Sequence, residues 1–529
     1  MRASLAIACT LALLALLAVP RHAAAQSPTP TRTPSPTRTP FPFDPYRRAG
    51  AEILLPVLNY QGPDEVCESW IDVQNVGADD CGVSLITWGE PGFCPPQGAG
   101  PLKIECSGLI RPGASWTFSG AQIPAGSRNG QLLRFSEATV VTAEDSLAIC
   151  DTYADFLCEL LFYGLVCECD AFTPFYRAYR TGIMQPGVGW DDMDMRPAAG
   201  AGGLAATVTR RCPGSSTPGR SVTATYNGLA RNRLGAIDPV QGGYVVYAPD
   251  AHVVTGGDGS PGVAGGTTFL YVQNAALQCA SVDVWFAPRD GCGRSRLCAG
   301  AMSLAPLETL HIDSADCGPP NGEGAMWVRS TQPVAVVAER VVADTLRTYE
   351  GMPSTLETGP PAALPAPRSI GAALFAPYAV NGAGGVHTSV VVQNVRSDAA
   401  VRVRLSVIDP NGQPRVAMDD WLCARGSAAY DLAALGAVPE GWRGTVRVAV
   451  VGGAAGVGEA VLAGVARLSG AGGDEQSYGL MPGADGLAKA DGAEGRWALD
   501  SGSGLVALPV LGRDDAAGRV RIVVANGAA

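Results

Sequence analysis

Short stretches of this chain alternate apolar and polar residues, and the same alternation comes back at long intervals. Ser69-Trp70-Ile71-Asp72-Val73-Gln74-Asn75 returns as Thr268-Phe269-Leu270-Tyr271-Val272-Gln273-Asn274 and as Thr388-Ser389-Val390-Val391-Val392-Gln393-Asn394. A worn fourth copy, Arg521-Ile522-Val523-Val524-Ala525-Asn526, lies near the C-terminus. A period of two marks a strand with one face buried. Ile71, Val73 and Asn75, with Leu270, Val272 and Asn274, Val390, Val392 and Asn394, and Ile522, Val524 and Asn526, form the inward row. The asparagine closes that row, where its amide is expected to hydrogen-bond the turn that follows.

The rest of each copy can be laid over the others. An apolar strand ending in proline opens it, at Leu54-Leu55-Pro56, Tyr247-Ala248-Pro249, Phe375-Ala376-Pro377 and Ala507-Leu508-Pro509. Proline is tolerated at a strand end, where its missing N–H breaks no ladder bond. After the asparagine strand come an alternating strand (Val83 to Trp88, Val282 to Phe286, Val401 to Leu405), a hairpin, and a second Pro/Gly punctuation at Pro124, Pro320 and Pro439. The closing strands end on a recurring tyrosine, Tyr226, Tyr349 and Tyr478. Some seven short strands per copy, with turns about every ten residues, predict an antiparallel two-sheet sandwich. A propeller blade would be shorter than these copies.

The resulting expectation is an all-β chain of tandem sandwiches at 49–240, 241–358 and 371–485, with linkers at 359–370 and 486–501 and a partial fourth repeat at 502–529. Two strands cannot bury a core alone, so either the chain is truncated in its fourth repeat, which is the expected reading, or this tail pairs with another sheet. The first sandwich carries an insertion at about 144–203. Leu147, Asp151, Ala154, Cys158 and Leu161 fall at helical spacing in its front half, and its aromatic residues and Cys150, Cys158, Cys167 and Cys169 predict a partly helical, disulfide-tied core of its own. Residues 1–25 read as a signal peptide, with Arg2 before an apolar run and Ala23-Ala24-Ala25 as the cleavage site. Residues 26–48 read as a Thr/Pro-rich linker, extended as polyproline II.

Composition narrows the picture. Gly (67) and Pro (40) are abundant and charged residues make up only 16%, which suits many short strands. A net charge of -11 argues against a nucleic-acid partner, and no run after the leader is long enough for a membrane helix. In an exported chain the cysteines read as disulfides. The candidates are Cys67, Cys81, Cys94, Cys106, Cys150, Cys158, Cys167, Cys169, Cys279, Cys292, Cys298 and Cys317. Hairpin alignment suggests Cys94–Cys106 and Cys292–Cys298, with Cys279–Cys317 by elimination and Cys67–Cys81 by analogy. Cys423 has no partner in its own repeat and is either free or paired elsewhere.

The search for chemistry is thin. The sequence holds no His-Glu-x-x-His, no Gly-x-Ser-x-Gly elbow and no phosphate loop, so no catalytic residue, cofactor or metal is assigned. Asp191-Asp192-Met193-Asp194 lacks the spacing of a calcium loop. The ligand-binding candidates are Tyr176, Tyr179 and Trp190 in the insertion, where exposed rings would stack on sugars or grip a protein.

The proline strand, the Val-Gln-Asn strand and the Pro-x-Gly turn together resemble the tandem Ig-like β-sandwich repeats of exported, largely uncharacterised bacterial surface proteins. The resemblance covers residues 50 to 529. It implies a secreted or cell-surface protein acting in adhesion, matrix or envelope organisation without catalysis, with surface glycans or other envelope proteins as partners. The alternative is a carbohydrate-binding or accessory module of a secreted hydrolase.

Overall fold

A computed structural model describes residues 52–136, 203–354 and 370–482, apart from short loop stretches inside them. These residues are almost wholly β-strand, with no α-helix among them. The insertion with its predicted helix, the leader, the Thr/Pro linker and the fourth copy all lie outside the described residues.

Three repeats share one plan. In each, the proline strand (Glu52–Leu55, Tyr244–Val253, Ala373–Asn381) lies between a two-residue strand that closes the repeat and a long strand (Asn129–Ser136, Gly322–Ser330, Trp442–Gly453). The alternating strand (Cys81–Trp88, Ala280–Pro288, Val401–Ile408) and its hairpin partner complete a five-stranded sheet. The asparagine strand (Glu68–Asn75, Thr267–Asn274, Val386–Asn394) belongs to a second, four-stranded sheet. There it pairs on one side with a short strand and on the other with a return strand (Leu204–Pro213, Val334–Val342, Leu462–Gly470). The tyrosine strand lies outside the return strand. In the third repeat the two sheets run into one nine-stranded sheet through the pair Asn381 and His387.

The inward rows make the cores. Ile71 and Val73, Leu270 and Val272, and Val390 and Val392 are all fully buried against the five-stranded side. Each asparagine behaves as its position demands. Asn274 Nδ2 donates to the carbonyls of Gln278 (2.7 Å) and Ala305 (3.0 Å), and its Oδ1 accepts from Ala276 N–H. Asn394 does the same with Ala399, Cys423 and Arg396, and Asn75 with Ile110 and Gly77. The side chain thereby saturates the turn that leaves the strand, which a buried polar group must do.

The proline departs from the expectation of a strand end. In the second and third repeats the strand runs on through an irregularity between Ala248 and Ala251, and between Ala376 and Ala379, with the proline inside it. A bulge takes residues out of the ladder, so the missing N–H costs nothing there. It also frees the carbonyl that follows the proline. The recurring tyrosine donates its hydroxyl to that carbonyl in every repeat: Tyr226 to Val57 (2.5 Å), Tyr349 to Asp250 (2.6 Å) and Tyr478 to Tyr378 (2.5 Å). Two motifs far apart in sequence are therefore two halves of one clasp.

The disulfides correct the sequence reading. Cys67 bonds Cys212, not Cys81. Cys298 bonds Cys317, which rules out Cys292–Cys298 and Cys279–Cys317. Cys292 bonds Cys423 of the next repeat, and Cys279 is also disulfide-bonded. Cys81 is a buried free thiol. The physical reason is register. Glu68 pairs with Arg211, which puts Cys67 beside Cys212 although 145 residues separate them. Cys81 instead pairs with Ser136 and bridges to Ile110, away from any partner. Cys94, Cys150, Cys158, Cys167 and Cys169 lie outside the described residues.

Candidate functional site: the repeat junctions

Along each asparagine strand the second row points away from its own core. In the second and third repeats that row is buried too, at Tyr271, Gln273, Val391 and Gln393, because it packs on the outer face of the preceding repeat's five-stranded sheet. Tyr271 and Val337 join the core cluster of the first repeat, and Ala463 and Val465 join that of the second.

At the first junction Leu54 lies under Leu307 and Ala335. Gln273 Nε2 donates to Gly130 O, and Asn129 Nδ2 donates to Leu307 O (2.8 Å) and Thr309 Oγ1. At the second junction Tyr247 replaces Leu54, and Arg425 replaces Leu307. Arg425 Nη1 donates to the Tyr247 hydroxyl (2.6 Å), and its guanidinium lies 4.5 Å from the Trp327 ring centroid. Trp327 stacks on Trp285 at 3.9 Å, and Arg329 covers Trp285 in turn. A ladder of two stacked tryptophans between two arginines thus runs outward from this junction, each step a cation–π or stacking contact. The Cys292–Cys423 bond spans the same boundary.

Leu307 and Arg425 hold one turn position, and both have φ of 61°. The left-handed region is strained for a residue with a Cβ. The first repeat carries Gly113 there, at φ 77°, with no atom within 4 Å of a Cβ placed on it. The strain is present where the side chain reaches into a preceding repeat and absent where no described residue receives it.

Charge completes each junction. Arg210, which is fully buried, pairs with the fully buried Glu339 of the second repeat and donates through Nε to Leu58 O (2.7 Å). In the third repeat the position of Glu339 is taken by Arg467. The counter-charge is Asp250, which stands where the first repeat has Val57 and bonds both Arg467 and Arg340. Burial would raise the Asp250 carboxyl, but the guanidiniums of Arg467, Arg340 and Arg347 override it and hold its pKa below the usual range. The outward position is thus acidic in the second repeat and basic in the third.

Other candidate chemistry is sparse. His311 packs between Phe269 and Tyr271, and burial holds its imidazole below the ordinary value. His252 and His387 lie in different repeats. No group of three His, Cys, Asp or Glu among the described residues could hold a metal. No described helix is long and apolar enough to cross a membrane. A cleft of about 590 Å³ in the first repeat is lined by Asn59, Glu68, Pro124, Arg211 and the Cys67–Cys212 bond.

The predicted ligand-binding residues Tyr176, Tyr179 and Trp190 lie outside the described residues. Their insertion leaves after Ser136 and returns before Leu204, at the end of the return strand opposite the cleft. Sequence reading missed the junction charges, because Arg210, Glu339, Asp250 and Arg467 differ from copy to copy. The one visible signal was a charge at the close of an otherwise apolar run, as in Val336-Val337-Ala338-Glu339-Arg340.

No known protein family matches the chain, and no curated protein does. Among solved structures, the crystal structure of Thermotoga maritima 1070 is similar over 21% of this chain and 93% of that one, at 21% identity and a TM-score of 0.17. A likeness at that score assigns neither fold nor function.

Proposed function

We propose that this chain is an exported structural protein of the cell surface, whose Ig-like β-sandwiches are fused into one stiff body for adhesion, matrix or envelope organisation. The observation that carries the reading is the construction of the junctions. Linked domains that move independently meet through small polar interfaces, whereas here a fully buried ion pair, a cation–π ladder and an inter-repeat disulfide join neighbours. Such joints hold a fixed geometry and transmit force. The disulfides fit an oxidising compartment, as the leader does.

Antibody labelling of intact cells of the source organism should find the protein outside. Detection in the cytosol alone overturns the reading. Binding to a polysaccharide array that disappears in Trp190→Ala would instead make the chain a carbohydrate-binding module.

A further inference from the structure

Devices that hold the fold recur in every repeat, as the strand-end asparagine and the clasp tyrosine do. One cluster of the third repeat does not recur. The alternating strand Val401–Ile408 turns Val401, Val403 and Leu405 into the core and leaves Arg402 and Arg404 facing outward. Its hairpin partner, Pro414–Leu422, sets Trp421 opposite Arg402 and Asp419 opposite Arg404. Residues paired across an antiparallel ladder share a face, with their Cβ atoms about 5 Å apart. By register, the place of Arg404 is held by Ser84 in the first repeat and by Asp283 in the second. The charge there is therefore particular to this repeat, and the fold does not require it.

Arg404 donates through Nε (2.7 Å) and Nη2 (2.9 Å) to the two oxygens of Asp419, and Arg402 adds its Nη2 (2.8 Å). These bonds, that from Arg404 foremost, hold the Asp419 carboxyl below its ordinary value. Two positive charges thus surround one negative charge. Arg402 is held in place by a single N–H, and no other acceptor among the described residues takes its remaining donors. On its other side it pairs with Gly452, where an added Cβ would meet only the Arg402 Cβ, at 3.9 Å. Trp421 is 58% exposed. Trp285 and Trp327 are covered by each other and by arginines, whereas no ring or guanidinium among the described residues lies over Trp421.

We propose that Trp421 and Arg402 bind a uronate residue of an acidic polysaccharide. The indole stacks on the apolar face of the sugar ring and its N–H reaches a hydroxyl. Arg402 takes the carboxylate, which its planar fork matches with two parallel bonds. Asp419 and Arg404 are positioning residues that fix the fork. A neutral sugar would use the indole but leave the excess positive charge unmatched. A protein partner fits less well, because one ring among charged neighbours is not the apolar centre on which stable protein interfaces are built. A net charge of -11 disfavours nucleic acid. The site gives the adhesion reading a ligand class. Cell labelling tests export and binding tests the site, so each can fail alone.

Calorimetric titration of the oxidised full-length chain decides the matter, with oligomers of galacturonate, guluronate and glucuronate and with their methyl esters. At least one acidic oligomer should bind, and its methyl ester, which keeps the ring and loses the charge, should bind about tenfold more weakly. Trp421→Ala and Arg402→Gln should each weaken binding by about tenfold while leaving the urea midpoint unchanged, since both side chains are exposed. Asp419→Asn separates a built fork from attraction by net charge. It makes the patch more positive but frees Arg402, so the fork account expects weaker binding. The proposal is overturned if no acidic oligomer binds, if the methyl ester binds as tightly as the acid, or if Trp421→Ala keeps full affinity. Tighter binding by Asp419→Asn overturns it as well, since net charge alone would then explain the attraction.

Discussion

Replacing Asp250 by asparagine changes no shape and removes one charge, so it isolates the electrostatics of the second junction. In the wild type the carboxylate is buried between Arg467 of the third repeat and Arg340 of its own. Asparagine leaves two buried guanidiniums facing each other without the carboxylate between them, and Glu323 lies 3.7 Å from Arg340 Nη2. Removing one partner of a buried pair costs about 3–5 kcal/mol, because the other charge stays desolvated. We expect a loss in that range, read by urea unfolding of the oxidised protein at neutral pH. Arg467→Gln and the double variant complete a cycle, and groups in direct contact should couple by about 0.5–3 kcal/mol. The linkage carries a second signature. The folded pKa of Asp250 lies below the unfolded value of about 3.9. Its contribution is therefore present above that value and is lost as the pH falls through the folded pKa. The Asp250→Asn protein should show a flatter acid limb than the wild type below about pH 4. A loss under about 1 kcal/mol, of the size of an exposed pair, with additive single variants, would refute the junction account.

Three further outcomes follow from the same contacts. Asn394→Ala strips hydrogen bonds from the carbonyls of Ala399, Leu422 and Cys423 and from one N–H at a buried turn, and should cost about 3 kcal/mol in chemical denaturation; a loss within error would mean that water replaces the amide. Cys423→Ser opens a cross-link spanning 131 residues and should lower stability by about 5 kcal/mol on the loop-entropy account, while an unchanged urea midpoint would argue against the bond. Burial raises the phenols of Tyr226, Tyr349 and Tyr478 above the ordinary value, so the stability they confer is intact below about pH 10 and lost above it. An absorbance titration should show these three ionising only as the chain unfolds in alkali, and free ionisation of all the tyrosines in folded protein would count against the clasp.

Much of the repeat was legible because its signals are local. Alternation in Val282-Asp283-Val284-Trp285-Phe286 marks a strand wherever it sits, and Asn274 at the end of a buried row can satisfy itself only on the turn beside it. The count of some seven strands fell short of the five and four in each repeat, in part because the two-residue strands Leu229–Ala230, Met352–Pro353 and Met481–Pro482 are too short to show any period. The disulfides were misread for the opposite reason. Pairing by position within a copy assumes that bonds stay within a hairpin, whereas Cys67–Cys212 follows register across a sheet and Cys292–Cys423 crosses between repeats.

The sequence by itself determined the strands, their inward rows and the fact of repetition, since each depends on which side of one strand is apolar. Only the tertiary structure decided what the outward rows do. Tyr271 and Asp72 hold equivalent outward positions and look alike in a period of two, yet the first packs into the core cluster of the preceding repeat while the second accepts from the Thr117 hydroxyl of its own sheet. The physical reason is that a junction is a property of two faces. The strain at Arg425, the sign change from Glu339 to Arg467 and the appearance of Asp250 in place of Val57 acquire meaning only when the partner surface is in place.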